Sequence, residues 1–138
     1  NKLVDHIFRG QSFTPPVLYV GLLTAAPSDA GGGTEVVGNN YARVKAAAGA
    51  SQALADWAGT QSTGSTAASS GTGGATSNNA AVNFPTPSGN WGTVTHFGLY
   101  DAATAGNLLF HGALTIAKTI NQADTVTFPA ASLVITFA

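Results

Sequence analysis

The chain has 138 residues, five basic and six acidic side chains for a net charge of −1, and no cysteine. That length fits one domain with a proper core, but a charged fraction of 8%, against roughly 25% in an average soluble domain, leaves no basic footprint for nucleic acid. Missing cysteines exclude disulfide staples, thiolate chemistry and cysteine-built zinc sites, and no apolar run approaches the ~20 residues of a membrane span.

Ala, Gly, Thr and Ser occupy 25, 17, 17 and 10 positions and together fill half of the chain. Few charges mean little repulsion between copies, which harms the solubility of a free monomer. A protein embedded in an assembly escapes that penalty. Residues 57–100 contain no Asp, Glu, Lys or Arg, and His96 is their one ionisable side chain of the kind that moves protons near neutral pH. Chemistry on a substrate needs groups that move protons, bind metal or hold charge. The composition therefore argues against an enzyme.

Asn1 to Phe8 is not expected to be a secretory signal, since its apolar part is short and broken by Asp5 and His6. Residues 1–9 instead read as a short helix or arm. Asn1 can cap it, Leu3, Val4, Ile7 and Phe8 share one stripe, and Gly10 can end it. Nine residues are not stable alone, so the stripe must dock on its own domain or on a neighbouring subunit.

After Pro15-Pro16, residues 17–24 are apolar almost throughout and read as a buried strand. Gly31-Gly32-Gly33 belongs to a flexible loop, with no Gly-Lys-Ser/Thr to make it a phosphate cradle. Tyr41 to Lys45 alternates large and polar residues and reads as a strand. Gln52 to Ala58 is ambiguous and is assigned to strand on its all-β surroundings. Residues 59–79, mostly small and polar, are expected to form a flexible loop, an uncommon length inside a compact domain.

Further strands are expected over 80–84, 93–100, 107–114, 124–128 and 132–137, with 93–100 and 107–114 paired as a hairpin and a brief pairing at Lys118 to Ile120. About eight strands at these spacings, punctuated by Pro and Gly, predict a single all-β domain over residues 1–138. The expected fold is an antiparallel β-sandwich of the jelly-roll type with a short N-terminal helix.

The candidate chemistry is thin. His96 and His111 could approach across the hairpin, but a metal needs at least three convergent ligands and His6 is remote. Asp101 and Asp124 fall at turns, where Asp serves backbone capping. No Gly-X-Ser-X-Gly elbow is present. Trp91 is expected to cover one end of the core. No catalytic residue, metal ligand or cofactor is assigned.

The segments 18–27 (Leu-Tyr-Val-Gly-Leu-Leu-Thr-Ala-Ala-Pro) and 90–101 (Asn-Trp-Gly-Thr-Val-Thr-His-Phe-Gly-Leu-Tyr-Asp) resemble those of a family of small structural proteins of tailed bacteriophages. The phrases at 108–114, 118–120 and 124–130 continue the likeness. Members are often labelled tail-fibre-like, and the size also resembles the jelly-roll cement proteins that decorate phage heads. The absence of repeats and heptads speaks against a long trimeric fibre shaft. The expectation is therefore a cement protein on the outer capsid surface of the virion, a homodimer that binds across neighbouring major capsid subunits. A tail-fibre or adsorption protein stands second and a carbohydrate-binding β-sandwich third. The interface candidates are Leu3, Val4, Ile7 and Phe8 with loop 59–79, and Arg9, Arg43 and Lys45 as polar anchors. No nucleic acid or membrane partner is expected.

Overall fold

The computed structural model describes residues 2–12, 14–28, 31–59 and 74–136. Helix α1 spans Lys2–Arg9 and precedes nine strands: β1 Tyr19–Ala25, β2 Thr34–Glu35, β3 Val44–Lys45, β4 Ala75–Ser77, β5 Val82–Asn83, β6 Gly92–Tyr100, β7 Leu108–Ile120, β8 Thr127–Phe128 and β9 Val134–Thr136. All strand pairs are antiparallel. The fold is all-β with a short N-terminal helix.

β1 lies in the middle of the main sheet because its sequence tolerates burial on both faces. β6 pairs along one edge, with Tyr19 opposite Tyr100 and Leu23 opposite His96. The other edge is shared end to end by β3, at Tyr19 and Val20, and β2, at Leu23 and Ala25. Between them the Leu22 N–H would be left over. Tyr41 Oη accepts it at 2.9 Å, so a side chain closes the gap in the ladder.

β6 and β7 form the long hairpin. Val94 faces Lys118 and His96 faces Ala113, so Leu114 to Ala117 bulge opposite Thr95. At the turn, Asp101 accepts Asn107 N–H at 2.6 Å and Asn107 Nδ2 at 2.8 Å. Asp124 likewise accepts Asn121 N–H at 2.7 Å. Both aspartates are turn caps, as their positions in the sequence suggested.

The core lies on one face of the sheet, where Val20, Leu22, Val94 and Leu99 meet Val82, Phe84, Trp91 and Leu133. Trp91 is buried, stands edge-on to Tyr41 with ring centres 5.3 Å apart, and donates Nε1–H to Asn39 O at 2.9 Å. It closes the core at the Gly92 end of β6.

Several expectations change. Gln52 to Ala58 is not a strand but holds a 3₁₀ turn over Leu54–Asp56, because buried Asp56 accepts Ala48 N–H at 2.8 Å and Ala53 N–H at 2.7 Å. The strand expected over 41–45 shortens to Val44–Lys45, since Tyr41 leaves the ladder to pack against Phe84 and Trp91. β7 runs on to Ile120 and absorbs the brief pairing expected at 118–120. Of the predicted loop 59–79, residues 60–73 lie outside the described residues, while 75–77 form β4 against β9. Strand pairing among the described residues gives one five-stranded sheet and two ribbons, β4–β9 and β5–β8. Two sheets of the jelly-roll kind were expected; the pairing bears out the antiparallel all-β fold, with β2, β3, β5 and β8 of two residues each.

Candidate functional site

α1 forms from the amphipathic spacing seen in the sequence. Arg9 Nη1 pairs with Asp5 Oδ1 one turn earlier at 3.1 Å, and Gly10, at φ +64°, carries the left-handed stop. Gln11 N–H then returns to Asp5 O at 3.2 Å, and His6 Nδ1 lies 2.9 Å from Gln11 O. The stripe itself faces solvent: Val4 is 53% exposed, Ile7 61% and Phe8 78%. Leu3 falls within the helix, but its side chain lies outside the described residues. Among the described residues, the β body does not cover this stripe.

Arg43 and Lys45, the other sequence-derived anchors, are turned towards the fold. The Arg43 side chain is only 9% exposed. Its Nε and Nη2 grip Glu35 Oε1 and Oε2 at 2.8 and 2.7 Å, and Nη1 donates to Ala102 O and Ala105 O at 3.0 and 2.7 Å. Hydrogen bonding to Glu35 raises the Arg43 pKa further and keeps the guanidinium charged. Tyr41 donates its hydroxyl to Glu35 Oε1 at 2.7 Å. Burial pushes the Tyr41 phenol well above its ordinary range and raises that of Tyr100. Lys45 Nζ donates to Gly49 O. The cluster fastens β2, β3 and the 101–107 turn to the sheet and offers no free charge for chemistry.

A groove of about 200 Å³ is lined by Lys45, Ala46, Ala48, Asp56, Asn78 and Val82. Its polar walls are already used: Asn78 bonds Ala80 O, Pro129 O and Leu133 N–H. His96 faces Ala113 and His111 faces Gly98, two register positions away. Among the described residues, no three His, Asp or Glu side chains gather to hold a metal. Neither tryptophan makes an exposed platform, since Trp91 is buried and Trp57 half-buried.

Residues 1–136 match the family described as podophage GP4 fiber I protein gp80. The chain belongs to this phage fibre family. No curated protein shows significant similarity to it.

Membership overturns the expected capsid cement role, and the major capsid protein as partner falls with it. The reasoning failed because missing heptads exclude a coiled-coil shaft, not a compact component of a fibre. As a fibre-family member the chain is a virion-associated, surface-exposed structural protein, and the non-enzymatic reading stands. Its placement on the outer capsid is corrected to a fibre.

Proposed function

We propose that this fibre protein serves the adsorption apparatus of a phage, presenting its β body to the host surface and joining the virion through α1. The family match over residues 1–136 carries this reading. The exposed stripe of Val4, Ile7 and Phe8 supports it, because an apolar helix face left in water is stabilised by an apolar groove on a neighbouring virion protein. Arg9, beside the stripe and paired with Asp5, flanks that contact. Arg43 and Lys45 have no part in it. In the finer version of this reading, the β5–β8 and β4–β9 ribbons act as the second layer of a sandwich.

The test is to image intact particles with antibody raised against the chain. Label at the fibres, and adsorption blocked by the antibody, is the expected result. Label spread over the head, with adsorption untouched, would overturn the proposal. Particles assembled with Ile7→Asp/Phe8→Asp should lack the protein, although the purified variant folds.

A further inference from the structure

The end of the body where β6 begins and β7 ends is built from three loops locked into one surface. Asn39 Nδ2 donates to Asn90 O at 2.9 Å, and Asn40 Nδ2 donates to Thr86 O at 3.0 Å. Ser88 N–H reaches Asn39 O at 3.0 Å. Gln122 N–H reaches Asn90 Oδ1 at 3.0 Å, and Ala123 N–H reaches Pro87 O at 2.9 Å. Buried Trp91 anchors the set from below through Asn39 O. The chain enters the sheet at the opposite end, where Tyr19 pairs with Tyr100. Along the nine residues of β6 the two ends lie roughly 26 Å apart, from the ~3.3 Å rise per residue.

This end has an unusual surface. Asn39, Asn40, Asn90, Asn121 and Gln122 are exposed, and Val37, two residues before Asn39, is 82% exposed. Gly38, Asn39 and Asn40 lie consecutively in the left-handed region, at φ +72°, +49° and +64°, and Ala123 across the surface is at φ +67°. Asn tolerates this region better than other side chains, and Asn39 held there turns its carbonyl to the buried Trp91 indole. Arg43, at the end of the first of these loops, is buried against Glu35, and the one carboxylate, Asp124, is turned to Asn121 N–H.

We infer that this amide-rich end recognises a neutral, hydroxyl-rich polysaccharide. Primary amides offer a donor and an acceptor on one planar group, the match for adjacent sugar hydroxyls. The exposed Val37 suits the C–H face of a sugar ring. Fixed loops lower the ordering cost of binding, and the absence of free charge selects against polyanions. The inference rests on the adsorption reading and names its partner. An O-polysaccharide and a neutral capsule share this chemistry.

The experiment titrates the purified full chain with lipid-free O-polysaccharide and with capsular polysaccharide, both from a strain to which the phage adsorbs. Heparin is the charged control. Asn121→Ala/Gln122→Ala is the main variant, since neither side chain holds the loops together. One neutral polysaccharide should bind equally at low and high salt, and which one binds identifies the source. The double variant should weaken binding about tenfold, the loss of roughly two hydrogen bonds, with an unchanged melting temperature. Val37→Ser should weaken it with the same unchanged melting, and Phe8→Asp should leave it intact. Binding of heparin alone, of neither polysaccharide, or of the double variant as tightly as the parent overturns the inference. Fibre label on particles combined with such a result would remove this inference alone, whereas label away from the fibres would remove the adsorption reading.

Discussion

The guanidinium carbon of Arg43 lies 3.4 Å from the centre of the Tyr100 ring. Beneath the ring, a Cβ added at Gly21 or Gly98 would stand 2.8 Å from Tyr100 Cε2. Glycine, tyrosine and arginine therefore stack as three layers on the sheet face away from the core. Bare glycines let the ring lie flat, and the arginine shields it from water while gripping Glu35.

Replacing Arg43 by methionine keeps most of the stem but strips the stack and four hydrogen bonds. It also leaves the Glu35 carboxylate with one donor, Tyr41. The expected loss is about 3 kcal/mol, the range for removing one partner of a largely buried charge pair. Urea unfolding measures it. In a double-mutant cycle, Glu35→Gln should cost much less in the Arg43→Met background than in the parent. Additive losses would show that the pair contributes nothing as a unit.

Gly98→Ala tests the floor of the same stack. The added methyl would meet both Tyr100 Cε2 and Leu108 Cδ1 at 2.8 Å. Tyr100 is pinned by Arg43 and cannot move cheaply, so about 1–3 kcal/mol should be lost as for other overpacked sites. Thermal melting that matches the parent would mean that the ring shifts freely.

Tyr41 supplies a pH dependence. Its phenol is held neutral, with a folded-state pKa raised by burial above the ordinary value of about 10. The folded chain then keeps a proton that the unfolded chain loses. This contribution is whole below about pH 10 and is lost progressively as pH rises beyond it. Tyr100, raised by burial, acts in the same direction. Denaturant midpoints should therefore fall above about pH 10. Tyr41→Phe should flatten that fall, at a cost of about 1–2 kcal/mol at neutral pH for the unpartnered Leu22 N–H.

Where local pattern and burial agree, these elements are legible in the sequence. The apolar run at 17–24, the hairpin of β6 with β7, and the helix ended by Gly10 follow from residue type alone. Asp56 shows the limit. Its carboxylate turns an Ala-rich stretch with strand-like surroundings into a 3₁₀ turn by reaching back to Ala53 N–H, three residues earlier, and Ala48 N–H, eight earlier. The strand-like surroundings hid this local cap. Tyr41 similarly reads as a strand residue because alternation places it on a large-residue position, and its packing on Phe84 and Trp91 together with the gap at Leu22 explains its departure. The stripe of α1 was visible from spacing, whereas the loop end around Asn39 was not. Its amides are scattered over three segments that only the fold brings together. The fibre identity was obscured by the compactness of the chain itself.

Ala131 sits at φ +63° and donates its N–H to Asn78 O at 2.7 Å. A side chain in this region costs roughly 1–2 kcal/mol, which glycine avoids. Glycine loses some of that gain through its freer unfolded state. Ala131→Gly should therefore stabilise by about 0.5 kcal/mol, read as a higher denaturant midpoint with an unchanged slope. A lower midpoint would show that the methyl group contributes packing that outweighs the backbone strain.

α1 should be separable from the stability of the body. Phe8 and Ile7 are 78% and 61% exposed, so the folded chain gains little from their burial. Surface changes away from caps and core usually fall within about 0.5 kcal/mol. Ile7→Asp/Phe8→Asp should accordingly melt like the parent, and hydrogen exchange in β1 and β6 should be unaltered. Helix content itself should drop by no more than the one short element, because eight residues without a partner are marginal in water. The parent's α1 amides should exchange almost as fast as an unstructured segment in the isolated protein and become protected in assembled particles. A large fall in melting temperature for the double variant would mean that the stripe packs against its own body in solution, and the joint to the virion would then have to be sought elsewhere.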